Sequence, residues 1–195
     1  MLSSLVASYG CTYTAPYNPE FESTLVEIPT VLLDGKALIW TTTDEDQFVH
    51  GGYWNFHIVQ VTRWNFHLGE ITREIAIKVF SRIFKEGADH SNSLTNLEHY
   101  SVVVTPRPLD FSFVWKSSIW RYDSRHEVEI SLQIVVSASN GEVVHQKTYS
   151  GIVDSGYYFP AQFNDKVSDT THQAITELLN QAALDTYDKL RDLGS

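Results

Sequence analysis

The chain has 195 residues, 43% hydrophobic and 19% charged, with 14 Lys and Arg against 24 Asp and Glu, for a net charge of −10. Such a composition belongs to one globular domain with a short extension at most, and excludes a disordered chain. An acidic chain with no Lys/Arg cluster is repelled by phosphate backbones, so nucleic acid is not an expected partner, and no stretch reaches the roughly 18 apolar residues of a membrane-spanning helix.

The first feature along the chain is its only cysteine, which ends the stretch Leu5-Val6-Ala7-Ser8-Tyr9-Gly10-Cys11. Residues 1–11 read as a signal-like segment ending at a candidate lipid-attachment residue, Cys11. The polar residues 12–24, with Pro16 and Pro19, read as a flexible tether, and residues 25–195 as a single domain. The alternative is a free cysteine in a loose N-terminus. One cysteine closes no internal disulfide and builds no Cys-based zinc site.

Leu25-Val26-Glu27-Ile28 reads as a short first strand, and residues 36–42 as a buried one. Asp44-Glu45-Asp46 forms an acidic loop. Trp54-Asn55-Phe56-His57 is echoed by Trp64-Asn65-Phe66-His67. Alternation puts the aromatics of each copy on one face, which predicts a strand or hairpin over 53–68. From Gly69 to Phe84 the period changes: Ile71, Ile75, Val79 and Ile83 recur every four residues, predicting an amphipathic helix stopped near Gly87. A polar loop is expected over 89–96.

Strands are then expected over 100–105, ending at Pro106 and Pro108, and over 109–122, with Phe111, Phe113 and Trp115 on one face. Residues 127–138 alternate most cleanly. Val128, Ile130, Leu132, Ile134 and Val136 form the packed face, and Glu127, Glu129, Ser131 and Gln133 point to water. Asn140-Gly141 signals a two-residue type I′ hairpin into a strand over 142–149. Val167, Thr171, Ala174, Ile175, Leu178, Ala182 and Tyr187 give a closing helix over 165–190 its apolar stripe. The expected fold class is α+β: one antiparallel sheet with two main helices packed on one face.

This arrangement resembles small Gram-negative envelope lipoproteins of the YajG-like type. The matching features are Cys11, the strand at 36–42, Leu68-Gly69-Glu70 opening a helix that ends Val79-Phe80-Ser81-Arg82-Ile83-Phe84, Tyr122-Asp123 before the long alternating strand, Asn140-Gly141, Lys147-Thr148-Tyr149 and the closing helix. The resemblance implies an α+β domain lipid-anchored to the periplasmic face of the outer membrane. It also implies an accessory or ring role in transport, secretion, polysaccharide export or motility machinery. Implied partners are envelope proteins, including further copies of this chain. The family supplies no catalytic residues.

Other constellations are weaker. His50, His57 and His67 lack the spacing of metal ligands, and no metal or cofactor is expected. His50-Gly51-Gly52 is an oxyanion-loop pattern without a Gly-x-Ser-x-Gly elbow. Asp154-Ser155-Gly156 reads as a turn, and Glu127 with Glu129 as solubility residues. Tyr157-Tyr158-Phe159, between Gly156 and Pro160, is the best partner-contact segment, against the alternative that it plugs the gap between sheet and last helix. A non-enzymatic envelope protein is therefore favoured. The alternatives are a carbohydrate- or ligand-binding module using Trp54 and Trp64, and a small hydrolase with a site near His50.

Overall fold

The computed structural model describes residues 12–21, 29–55, 61–118, 123–159 and 162–193. Cys11 and the strand expected at 25–28 lie outside the described residues. Strands β1 (Thr12–Ala15), β2 (Ala37–Trp40), β3 (His50–Asn55), β4 (Val61–Phe66), β5 (Ala88–Ser91), β6 (Val102–Ser118), β7 (Asp123–Ala138) and β8 (Val143–Asp154) combine with helices α1 (Thr43–Asp46), α2 (Leu68–Phe80) and α3 (Phe163–Leu193). The fold is α+β, as the change of period predicts. It has two sheets where one is expected: a small one ordered β1-β4-β3 and a large one ordered β5-β2-β6-β7-β8. The long β6-β7-β8 meander is antiparallel, whereas β1 runs parallel to β4, and β2 runs parallel to both β5 and β6.

The face assignment on β7 holds. Val128, Ile130, Leu132, Ile134 and Val136 are fully buried, and Glu129 is exposed. Helices α2 and α3 pack against each other on this side of the sheet: α2 meets β2, β5 and β6, α3 meets β7 and β8, and Ile71, Ile75, Val79 and Phe80 of α2 share one core with Val167, Ile175, Leu178 and Ala182 of α3. Gly69 lets α2 start there. A Cβ at that position would stand 2.0 Å from the Glu45 carbonyl oxygen, so only glycine admits the close approach of α1.

Two prolines do not end a strand as expected. β6 runs through Pro106 and Pro108 because β2 pairs with it only over Val102–Val104, so beyond that point a missing N–H costs no ladder bond. Leu109 is the extra residue of a bulge between Pro108 and Asp110. The β7–β8 loop also differs from a type I′ turn. Gly141 alone has positive φ (+86°), and its N–H bonds to the Ala138 carbonyl at 2.9 Å. Ser139-Asn140-Gly141 is therefore a three-residue loop closed by a left-handed glycine.

Ile130→Asp should abolish cooperative folding, because an unpaired carboxylate buried under α3 costs several kcal/mol. Glu129→Lys, one residue along on the wet face, should shift the urea midpoint by no more than about 0.5 kcal/mol equivalent. Circular dichroism against urea for both variants checks the assignment.

Candidate functional site

The described site is built where the two sheets meet. Phe66 of β4 lies 4.7 Å between ring centroids from Phe111 of β6, and Trp64 lies 5.7 Å from Phe113. The seam continues on both sides. Tyr13 of β1 lies tilted against Trp64 at 4.6 Å, Phe113 lies 5.1 Å from His126 of β7, and His126 lies 5.4 Å from Tyr158. The alternation of β4 and β6 produces this seam, since both strands turn their aromatic faces inward.

Tyr158 ends the seam and fixes the turn that bears it. Its N–H donates to the Ser124 carbonyl at 2.9 Å, and its own carbonyl accepts from Ser124 N–H at 3.0 Å. Its hydroxyl lies 3.0 Å from His126 Nδ1. Tyr158 is 4% exposed, whereas Tyr157 and Phe159 on either side are 67% and 72% exposed. The expected contact segment is therefore split: Tyr158 is an anchor rather than a contact residue, and Tyr157 and Phe159 project outward from it. Burial holds the Tyr158 hydroxyl well above its ordinary range and pushes the His126 imidazole down to about 4.

The segment expected as a tether is structured over its described part. β1 occupies Thr12–Ala15 in register with Arg63–Phe66 of β4, and Ala15 is fully buried. The Tyr13 hydroxyl donates to the Asn164 carbonyl at 2.6 Å. Burial, then Asp165 and Asp169, push this hydroxyl up to about 12. Asn18 N–H donates to His172 Nε2 at 2.8 Å, while His172 Nδ1 faces the Ser168 carbonyl at 2.8 Å. An acceptor on one ring nitrogen and a donor on the other define a neutral imidazole protonated at Nδ1. Tyr17 and Phe21 flank the ring at 5.7 and 5.3 Å. His172 and this clasp escaped the sequence reading, though His172 does fall beside Thr171 on the buried stripe of the closing helix.

The remaining candidates have structural positions. His50-Gly51-Gly52 is part of β3, paired with Trp64–Phe66, and is not an open loop. His57 lies outside the described residues, and His67 sits 3.6 Å from Glu70. Ser155 Oγ accepts from His126 N–H and donates to the Gly156 carbonyl, both at 2.9 Å, which is the behaviour of a turn serine. Trp64 is 5% exposed within the aromatic seam, so it offers no face for a sugar. Among the described residues, no group of three or more His, Cys, Asp or Glu gathers as metal ligands, and no helix is long and apolar enough to cross a membrane.

A second polar cluster joins β8 to α3. Tyr149 Oη donates to Asp185 Oδ2 at 2.9 Å and lies 3.0 Å from His145 Nε2, and Lys147 Nζ reaches the same Asp185 oxygen at 2.7 Å. The Lys147 bond holds Asp185 below its ordinary range. The cluster fastens helix to sheet.

His126 and His172 are both held neutral by burial, below the ordinary histidine value of 6.5. The unfolded chain thus binds more protons than the folded one in this range. Their contribution is fully present above pH 6.5 and is lost as pH falls below it, for His126 down to about 4. His172→Ala should cost about 1–3 kcal/mol at pH 7.5 by orphaning the Asn18 N–H, and should flatten part of the acid slope. Urea titrations at pH 7.5 and pH 5 measure both effects.

No protein-family model matches the chain, and no curated protein does. Among solved structures, the chain is similar to a Xanthomonas campestris protein of the family DUF330, at TM-score 0.56 and 12% identity, over 95% of this chain and 100% of that one. It is also similar to a candidate lipoprotein of Caulobacter crescentus, at TM-score 0.43 and 15% identity over 64% and 84% of the two chains. A minor lipoprotein of Acinetobacter baumannii follows, at TM-score 0.38 and 10% identity over 79% and 92%. At these identities the likeness is one of fold, and the first of the three carries it.

Proposed function

We propose that this chain is a non-enzymatic lipoprotein of the Gram-negative envelope, anchored through Cys11 to the outer membrane with its domain on the periplasmic face, where it binds other envelope proteins. The observation that carries the protein-binding part is the outer edge of β8. This strand has 12 residues, stands last in its sheet, and pairs only with β7 among the described strands. Val143 and Ile152 along it are 53% and 65% exposed. An open edge of this length is a template for a further strand unless it is covered. The only cysteine at position 11 and the resemblance to YajG-like envelope lipoproteins support the anchoring part. His50, Gly51 and Gly52 belong to a paired strand, Ser155 to a turn and Asp185 to helix docking, which favours binding over a hydrolase near His50.

Protein from the native host should carry a lipid-modified N-terminal cysteine by intact mass spectrometry; an unmodified soluble product would end the anchoring reading. Wild-type protein in gently solubilised membranes should crosslink to a partner. A Val143→Lys, Ile152→Lys variant should lose at least about tenfold of that yield, because two lysines on an edge oppose strand addition. A chain that stays monomeric, retains no partner and turns over a small substrate would overturn the binding reading.

A further inference from the structure

We propose that Tyr157 and Phe159 form a bilayer-contact surface that seats this end of the domain in the lipid headgroup region; the proposal rests on the reading that Cys11 carries the anchor. Chain direction places the two together. Tyr13 meets Asn164, and Asn18 meets His172. Residue numbers rise together along both partners, so the N-terminal segment runs alongside α3 in the same direction, and Thr12 lies at the start of α3. The aromatic turn lies at that same start: Gln162 N–H donates to the Phe159 carbonyl at 2.9 Å, one residue before α3 begins.

No slack separates the anchor from this end. Thr12 is paired with Arg63 in the small sheet, and Cys11 is the residue before it in the sequence. Acyl chains on Cys11 therefore bring the bilayer to the end of the molecule where Tyr157 and Phe159 project. The backbone that carries them is fixed, because Tyr158 between them is bonded to Ser124 and His126. Tyr and Phe on a rigid backbone suit the membrane–water interface, where an apolar ring is buried and a polar edge stays wet.

The charges nearby select the lipid. Glu20, Asp165 and Asp169 line the surface beside Tyr13, and Arg125 lies 5.9 Å from the Tyr157 ring. Arg125 is paired with Glu127 and Asp154, so the charge left beside the turn is negative, which disfavours an anionic headgroup and leaves a zwitterionic one. With the aromatic turn seated, the β7–β8 loop points away from the membrane. At roughly 3.3 Å per residue, Val143 stands about 36 Å along β8 from Asp154. The acyl chains hold the domain to the membrane, and the aromatic pair sets which way up it sits.

Because the chain has one cysteine, Cys11→Ser leaves it free of thiols. Phe159→Cys or Val143→Cys in that background then places a single environment-sensitive fluorophore (NBD). Full-length protein with an N-terminal His tag is held on vesicles of phosphatidylcholine and phosphatidylethanolamine containing a nickel-chelating lipid. Circular dichroism checks that each labelled variant is folded. The label at 159 should brighten several-fold and be quenched by a spin-labelled lipid, while the label at 143 stays as in solution. Equal, water-like emission at both positions would overturn the proposal. So would a label at 159 that is dark on vesicles but protected in native envelopes, which would assign the turn to a protein. The chelate replaces the acyl chains, so bright emission at 159 beside an unmodified Cys11 in the native host would keep the bilayer surface and remove only the lipid-anchor reading.

Discussion

The aromatic seam between the sheets is the interaction on which the architecture depends. Tyr13, Trp64, Phe113, His126 and Tyr158 form a continuous line of ring contacts from the first strand to the turn before α3, with Phe66 and Phe111 beside it. Each such pair contributes about 0.5–1.5 kcal/mol beyond its burial, against a total stability of about 5–15 kcal/mol for a domain. The small sheet has little else to hold it. It has three strands that pair only among themselves, and the Tyr13 hydroxyl ties it to α3 through the Asn164 carbonyl. The seam adds to this tie the direct ring contacts between β4 and β6.

The seam and α3 divide the labour. α3 covers the apolar face of β7 and β8 with a stripe that contains four threonines, Thr170, Thr171, Thr176 and Thr186. Each hydroxyl bonds back to the carbonyl four residues earlier, at 2.6–2.9 Å. A polar side chain can then be buried on a helix without a partner from outside it. Gly151 of β8 completes the fit, since a Cβ there would come within 3.1 Å of Leu178. The outer face of the large sheet is different. It keeps Glu129 and Ile152 in the open.

What the sequence revealed was whatever repeats locally. Alternation over 127–138 located the core face of β7, and the stripe from Val167 to Ala182 located α3, because both signals rest on neighbours two to four residues away. β1 was missed because Thr-Tyr-Thr-Ala has meaning only beside β4, some fifty residues later. β5, Ala-Asp-His-Ser, has the composition of a loop and is a strand only through its pairing with β2. Pro106 and Pro108 predict a break, and only the short reach of β2 removes it. The aromatic turn was legible as a segment, but its internal division was not, since Tyr158 is distinguished from Tyr157 by Ser124 and His126, more than thirty residues away. His172 was invisible for the same reason: its partner is the backbone of Asn18.

These distances in sequence have a consequence for the order of folding. Tyr13 to Asn164, Asn18 to His172 and Tyr187 to Val31 are separated by 151, 154 and 156 positions. The beginning of the chain emerges first during synthesis, yet the surface that receives it is made last. Closing so long a loop carries its full entropic cost before any contact repays it. The β6-β7-β8 meander, with its short connections, can form early; the N-terminal strand cannot settle until α3 is complete. A product truncated before residue 164 would keep its meander and leave its first strand undocked, so completion of the C-terminus is read at the opposite end of the chain.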